Sequence, residues 1–321
     1  MIFKRLLAGL LAATFGMAMA QDFPSKAVKL VNPYPPGGPI DTFARAMAVK
    51  LAEKWKQPVV VENRPGASEM IGAQSVATSA PDGHTILLST EQALTLNPYL
   101  YKKMPLDPFN DLAPVTQILN VPYAFLVPSD SPVRTLGDFV QRAKANPGKT
   151  TFATGGVLGV TQFAFVDLAS AENLDVLVVP FSGLGTVLPE LLAGRVDSTF
   201  GGIAPITQHV ASGKLRALAV GGGTRSKALP DVPTFRELGY KDVNAGFFLG
   251  VTVAAKTLPA VISKIAEDMR QVASDKAFRE QNIDPFGLEV VASTPQEFGN
   301  FLQANRAVQQ ARVRKSGVQM Q

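Results

Sequence analysis

The stretch from Leu30 to Arg45, LVNPYPPGGPIDTFAR, runs a strand-forming segment straight into two prolines, two glycines and a helix-forming segment. Glycine lets backbone amides approach a ligand closely, and the first turn of a helix presents N–H groups without intrahelical partners together with partial positive charge. Such a site binds an anion such as a carboxylate without any arginine. One helix end contributes only about 0.3 to 2 kcal/mol, whereas micromolar affinity needs about 8 kcal/mol, so several groups must converge. The same residues fit a plain tight turn, and taken alone they do not separate the two readings. A second segment, Asn63 to Met70, repeats the order of strand, Pro-Gly turn and helix. Two such helix ends at neighbouring strand tips favour a two-pronged anion cradle. Arg45 reads as a solvated helix residue and Glu62 with Arg64 as a surface ion pair. Glu69 reads as a first-turn residue facing solvent, since beside a carboxylate cradle it would repel an anion unless protonated, rotated away or paired with a cationic ligand group.

Other chemistries find little support. The chain has 321 residues, no cysteine and two histidines, His84 and His209, far apart in sequence. Soft-ligand metal spacings are therefore absent, and no metal or cofactor is expected. No Gly-x-Ser-x-Gly elbow, Walker loop or Ser-x-x-Lys motif appears, and Gly155 to Gly159 resembles a phosphate loop only weakly, so an enzyme is not expected. Lys4 and Arg5, the apolar run Leu6 to Phe15 and the small-residue pattern Ala18-Met19-Ala20 have the layout of a cleavable secretory signal. Cleavage near Ala20 would leave a soluble periplasmic monomer of 301 residues, with formal charge lowered from +5 to +3 by the loss of Lys4 and Arg5. Without a basic cluster that charge does not suggest nucleic-acid binding.

The elements that must position the cradle alternate short β-rich runs with helical periodicity, which predicts a parallel α/β architecture in two lobes. Ile40, Phe43, Ala44, Met47, Ala48, Leu51 and Trp55 recur at three- and four-residue steps and predict one buried helical stripe over 40–55. Strands are expected over 27–34, 59–62 and 85–90. After β-rich segments at 115–119 and 123–127 a second series follows, with a helix over 136–145, a strand over 151–154, a helix over 161–173 and strands over 175–179, 197–200 and 215–220. A strand over 247–254 and two helices finish the chain, the last opening on the capping box Thr294-Pro295-Gln296-Glu297. This order predicts a signal at 1–20, a first lobe built from 21–121 and 246–321, and a second lobe from 122–245. A ligand cleft between the lobes, at the carboxyl ends of parallel strands, follows from that layout.

The segments VNPYPPGGPIDTFAR, QPVVVENRPGA, APDGHTILLST, LNPYLYKKMPLDPFNDLAPVTQI, ELLAGRVDSTFGG, SGKLRALAV and ALPDVPTFRELGY, in this order, resemble the Bug family, the receptors of tripartite tricarboxylate transporters. The resemblance implies a type II periplasmic-binding-protein fold, a small carboxylate ligand, and a membrane permease with one large and one small subunit as partner. By position it implies a first-lobe site of Tyr34, Gly37, Gly38, Pro39 and Asp41 with Ala67, Ser68, Glu69 and Met70, and Thr90 and Glu91 at the adjacent strand tip. In the second lobe it implies Gly156, Val157, Thr161 and Gln162, then Phe181, Ser182 and Gly183, then Gly202.

Several positions depart from the family pattern. The second loop, commonly rich in glycine, reads Gly66-Ala67-Ser68-Glu69-Met70, a Ser/Thr-x-His is replaced around Thr161-Gln162-Phe163, and Gly201-Gly202 follows Phe200 where an Asp is common. Losing His and Asp while gaining Phe181 makes the distal pocket less polar, which suits an aromatic or apolar carboxylate, with a dicarboxylate the other expectation. The phenylalanines equally fit as ordinary core residues. A ligand sensor feeding a membrane kinase, or an enzyme built on a binding-protein fold, are the alternative readings.

Overall fold

The computed structural model describes residues 23–156 and 159–320. The expected signal at 1–20 and the candidate site residue Val157 lie outside the described residues.

In the first lobe, β1 (Val28–Asn32), α1 (Pro39–Trp55), β2 (Val59–Asn63), α2 (Met70–Ala77) and β3 (Thr85–Ser89) follow in sequence, and β1 pairs in parallel with both β2 and β3. A π-helical turn, Gln92–Leu96, then runs into α3 (Asn97–Leu100). The expected stripe on α1 is the buried one, from Ile40 through Phe43, Met47 and Leu51 to Trp55. Fully burying each large side chain of this kind contributes about 1.5–3 kcal/mol. Lys56 ends the helix in the left-handed conformation, with φ 55°. α1 packs on one face of the sheet with α8 (Pro259–Ser274), while α2 packs on the other face with α10 (Pro295–Ser316).

The second lobe repeats that plan. β5 (Thr151–Thr154) lies between β6 (Leu177–Pro180) and β7 (Ser198–Gly202), parallel to both. α5 (Val160–Glu172) packs on one face, and α6 (Leu184–Leu192) with α7 (Ile203–Ala211) on the other. Each lobe therefore places its second strand and third strand on opposite sides of its first, with the following helices on opposite faces. That creates a crevice at the carboxyl end of the first strand, where α/β sheets bind ligands.

Between the lobes runs β4 (Leu112–Pro128), where the sequence suggests two separate strands around Pro122. A proline inside such a run ordinarily signals an interruption. Here Pro122 sits where β4 changes partners: residues 112–122 pair with β9 (Gly246–Ala254), and residues 123–128 with β7 and β8 (Leu215–Val220). The resulting 10-stranded sheet has the main order β2-β1-β3-β9-β4-β7-β5-β6. α4 (Leu136–Ala145) has the expected bounds and is capped by Thr135, and α10 opens on the expected Thr294–Glu297 capping box. Between α8 and α10 lie α9 (Lys276–Asn282) and the short β10 (Glu289–Val290), one helix more than the sequence suggests.

The C-terminal helix joins both lobes. Arg312 on α10 donates from Nε and Nη2 to Asp167 Oδ2 on α5 at 2.9 and 2.5 Å, and both side chains are buried. Leu96 and Leu100 of the first lobe, Phe163 of the second and Val313 of α10 form one apolar cluster around this bridge.

Candidate functional site

The tips of β1 and β2 are locked by a buried carboxylate. Asn32 and Asn63 end the two strands in register with one another, and both donate to Asp41 Oδ1, at 3.3 and 2.7 Å. Arg45 donates to both Asp41 oxygens, at 2.9 Å to Oδ2 and 3.2 Å to Oδ1, and also to Asn63 at 2.9 Å. The Gly37 amide donates to Asp41 Oδ2 at 3.0 Å. Desolvation pushes the Asp41 carboxyl upward, yet the hydrogen bonds from Arg45, Asn63 and Gly37 outweigh it and hold the group well below the usual carboxylate range. Asp41 is thus the keystone under the Pro-Pro-Gly-Gly turn, and Arg45 is tied to it. Gly37, with φ 90°, needs the freedom of glycine, whereas Gly38 is extended at φ −79°. A Cβ at Gly38 would meet no protein atom within 4 Å, nor would one at Gly37. Pro39 stands exposed at the first position of α1.

Around the second loop the structure departs from expectation. Glu69 does not face solvent but is 7% exposed and turned inward. Its carboxylate accepts from Tyr34 Oη at 2.5 Å, Thr90 Oγ1 at 2.6 Å, Ser89 Oγ at 2.9 Å and the Thr90 amide at 3.1 Å. The turn that aims it there is unusual: Ala67, Ser68 and Glu69 have φ of 46°, 51° and 70°. Non-glycine residues in that region cost of order 1 kcal/mol each, and such strain persists only where surrounding contacts enforce it. Those contacts are the four bonds to Glu69, the Ser68–Tyr101 hydroxyl pair at 2.9 Å, and Asn97 Nδ2 donating to Ser68 O at 2.8 Å. Met70 is buried at the start of α2.

Glu91 is fully enclosed beside this cluster and accepts from the Phe248 amide at 3.1 Å. Burial pushes its carboxyl up to about 7, although Arg312 pulls the other way. The Tyr34 phenol is held well above its ordinary range by burial and then by Glu69. Tyr123, the first residue of β4 in the second lobe, is raised by burial and by Glu91, and it also acts on Tyr34. It lies over Gly202, in register with it and 3.8 Å from where a Cβ would stand. Tyr123 therefore links the rims of the two lobes.

On the second-lobe rim, Thr161 in the first turn of α5 pairs with Thr154 at 2.8 Å, and Gln162 follows it. Gly156 lies half-buried in the loop before α5. Phe181 packs partly buried against the lobe core, Ser182 is exposed, and Gly183 precedes α6. No side chain caps α1, α2, α5, α6 or α7, whose N-cap residues are Gly38, Glu69, Gly159, Gly183 and Gly202. No side chain takes up their first-turn amides, although α1 opens on Pro39, which has no N–H, and the Met70 amide at the start of α2 donates to Ala67 O at 3.1 Å. Thr135, Asp275 and Thr294 cap α4, α9 and α10, whereas α3 and α8 also lack a side-chain cap.

Sequence reasoning missed Tyr123, Ser89, Asn32 and Asn63. The asparagines had a signal, since one closes each of the first two strands. Tyr123 had none beyond its place after Pro122. A cavity of about 350 Å³ among Asn120, Gly222, Arg236, Lys241 and Phe247 contains none of the sequence-predicted site residues. Among the described residues no group of three or more His, Cys, Asp or Glu could hold a metal ion, and no helix is long and apolar enough to cross a membrane.

Residues 43–318 match the model of the tripartite tricarboxylate transporter family receptor. The protein BugT of Bordetella pertussis is 33% identical over 309 residues, covering 93% of each chain. Among solved structures, the periplasmic binding protein BugD is 28% identical with a TM-score of 0.77, covering 93% of this chain and all of that one. An R. palustris protein with adipate is 25% identical (TM-score 0.81, 94% of this chain and 100% of that one), and MatC from Rhodopseudomonas palustris with bound malate is 27% identical (TM-score 0.75, 91% and 100%). With two lobes of periplasmic-binding-protein fold and a family match across most of its length, the chain belongs to the tripartite tricarboxylate transporter receptor family.

Proposed function

We propose that the chain is a non-enzymatic periplasmic receptor that takes up a small carboxylate between its lobes and delivers it to a membrane permease with one large and one small subunit. The observation that carries this reading is the set of five helix N-termini without side-chain caps on the two rims, gathered by the same strand order in each lobe. Converging amides give a carboxylate charge-assisted hydrogen bonds without a mobile cation, and each such bond is worth more than a neutral one. Adipate and malate in the two R. palustris structures support the ligand class. The ligand site comprises the Gly38 turn and the 66–69 loop on one side and the loops around Thr161, Phe181 and Gly202 on the other. The working form is a monomer, released near Ala20 and closing about the crossing at Val121 and Gly246.

Mass spectrometry of small molecules released from the purified protein, followed by thermal shift with carboxylic acids, tests the reading. An acid present at a hundred times its dissociation constant should add about 2.7 kcal/mol of stability. Absence of any carboxylate that both co-purifies and stabilises would count against it.

A further inference from the structure

Four neutral donors converge at the end of β3: Tyr34 Oη, Ser89 Oγ, the Thr90 amide and Thr90 Oγ1. Such a set is what a carboxylate pocket is made of. The chain fills it with its own Glu69, held there through three successive residues in the left-handed region. Glu91 stands buried beside it, a second acid at the same tip. None of the sequence-predicted site residues is basic, and the nearby Arg45 is already committed to Asp41 and Asn63.

Resting on the receptor reading above, we propose that Glu69 determines specificity by occupying the β3-tip donor set, so that the receptor takes monocarboxylates and discriminates against dicarboxylates. A ligand with one carboxylate places it on the remaining helix-end amides and turns a neutral end towards Glu69. Adipate and malate carry two carboxylates. A diacid reaching the β3 tip of this chain would meet two buried acids with the donors already used, and Arg312, the guanidinium that acts on Glu91, is tied to Asp167.

Calorimetric titration of the purified protein with matched pairs tests this: butyrate and succinate, hexanoate and adipate, benzoate and terephthalate. The monoacid of the best-bound pair should bind at least tenfold more tightly. Glu69→Gln keeps the volume but gives up acceptor capacity, releasing donors, and should narrow that gap by about tenfold. Equal weakening of both members by Glu69→Gln would mark the residue as merely structural and overturn the proposal. A wild-type protein that binds the diacid as tightly as the monoacid also overturns it while leaving the receptor reading intact. Should no acid of any pair bind, the carboxylate reading falls and this proposal falls with it. If Glu69→Gln does not fold, as judged by circular dichroism, the wild-type preference decides alone.

Discussion

The two lobes share one strand order and differ in the chemistry of their rims. The first-lobe rim buries three acids, Asp41, Glu69 and Glu91, each given hydrogen bonds by its own surroundings. Thr161, Gln162, Phe181, Ser182, Gly183 and Gly202, on the second-lobe rim, carry no charge. Buried charge with fixed partners is rigid, because every displaced donor leaves an unsatisfied group that costs about 1–3 kcal/mol or more. A neutral rim of small residues imposes no such penalty. The first lobe therefore acts as the preset half of the site and the second as the half that can vary with the ligand.

The sharpest way to break the comparison is to cut the tie between the lobes. Arg312→Ala leaves Asp167 buried without its partner and should cost about 3–5 kcal/mol in denaturant unfolding, with the greater share appearing as loosened packing around Phe163. A loss below about 1 kcal/mol would mean the lobes are independent units. Next in size is the pH dependence set by Glu91. Its carboxyl ionises near 7 when folded, against an ordinary 4.5. Between those values the folded chain holds a proton that the unfolded chain has released, so this group's contribution is fullest below about pH 4.5 and falls as pH rises to 7. Wild type should lose roughly 2–3 kcal/mol more than Glu91→Gln between pH 5 and 8, and parallel pH profiles would contradict the assignment. On the neutral rim the effect should be smallest. Thr161→Val removes one half-buried hydroxyl pair and should cost about 1 kcal/mol or less, while changing which acids bind. A stability loss matching that of Arg312→Ala would erase the distinction between the rims.

Much of the scaffold is legible in the sequence because it rests on local patterns. The α1 stripe follows from apolar spacing, and the start of α10 follows from its Thr294–Glu297 capping box. What escapes depends on the chain meeting itself at a distance. Glu69 turns inward only because Ala67 and Ser68 adopt a conformation their types disfavour, enforced by donors from β3 and by Tyr101. Pro122 reads as a break because the partner change of β4 is invisible locally. Gly38 is extended, at φ −79°, so its role rests on space for a ligand and not on backbone freedom.

That space offers the most direct test of the helix-end cradle. Calorimetry with the acid found to bind the wild type should be repeated on Gly38→Val and Arg64→Ala. Arg64 is engaged by Glu62 at 2.5 Å, so its removal should change affinity less than about threefold. A Cβ at Gly38 would meet no protein atom within 4 Å, so the valine should leave the fold intact while lowering affinity at least a hundredfold, about 2.7 kcal/mol. Binding abolished by Arg64→Ala and retained by Gly38→Val would replace the amide cradle with a guanidinium clamp.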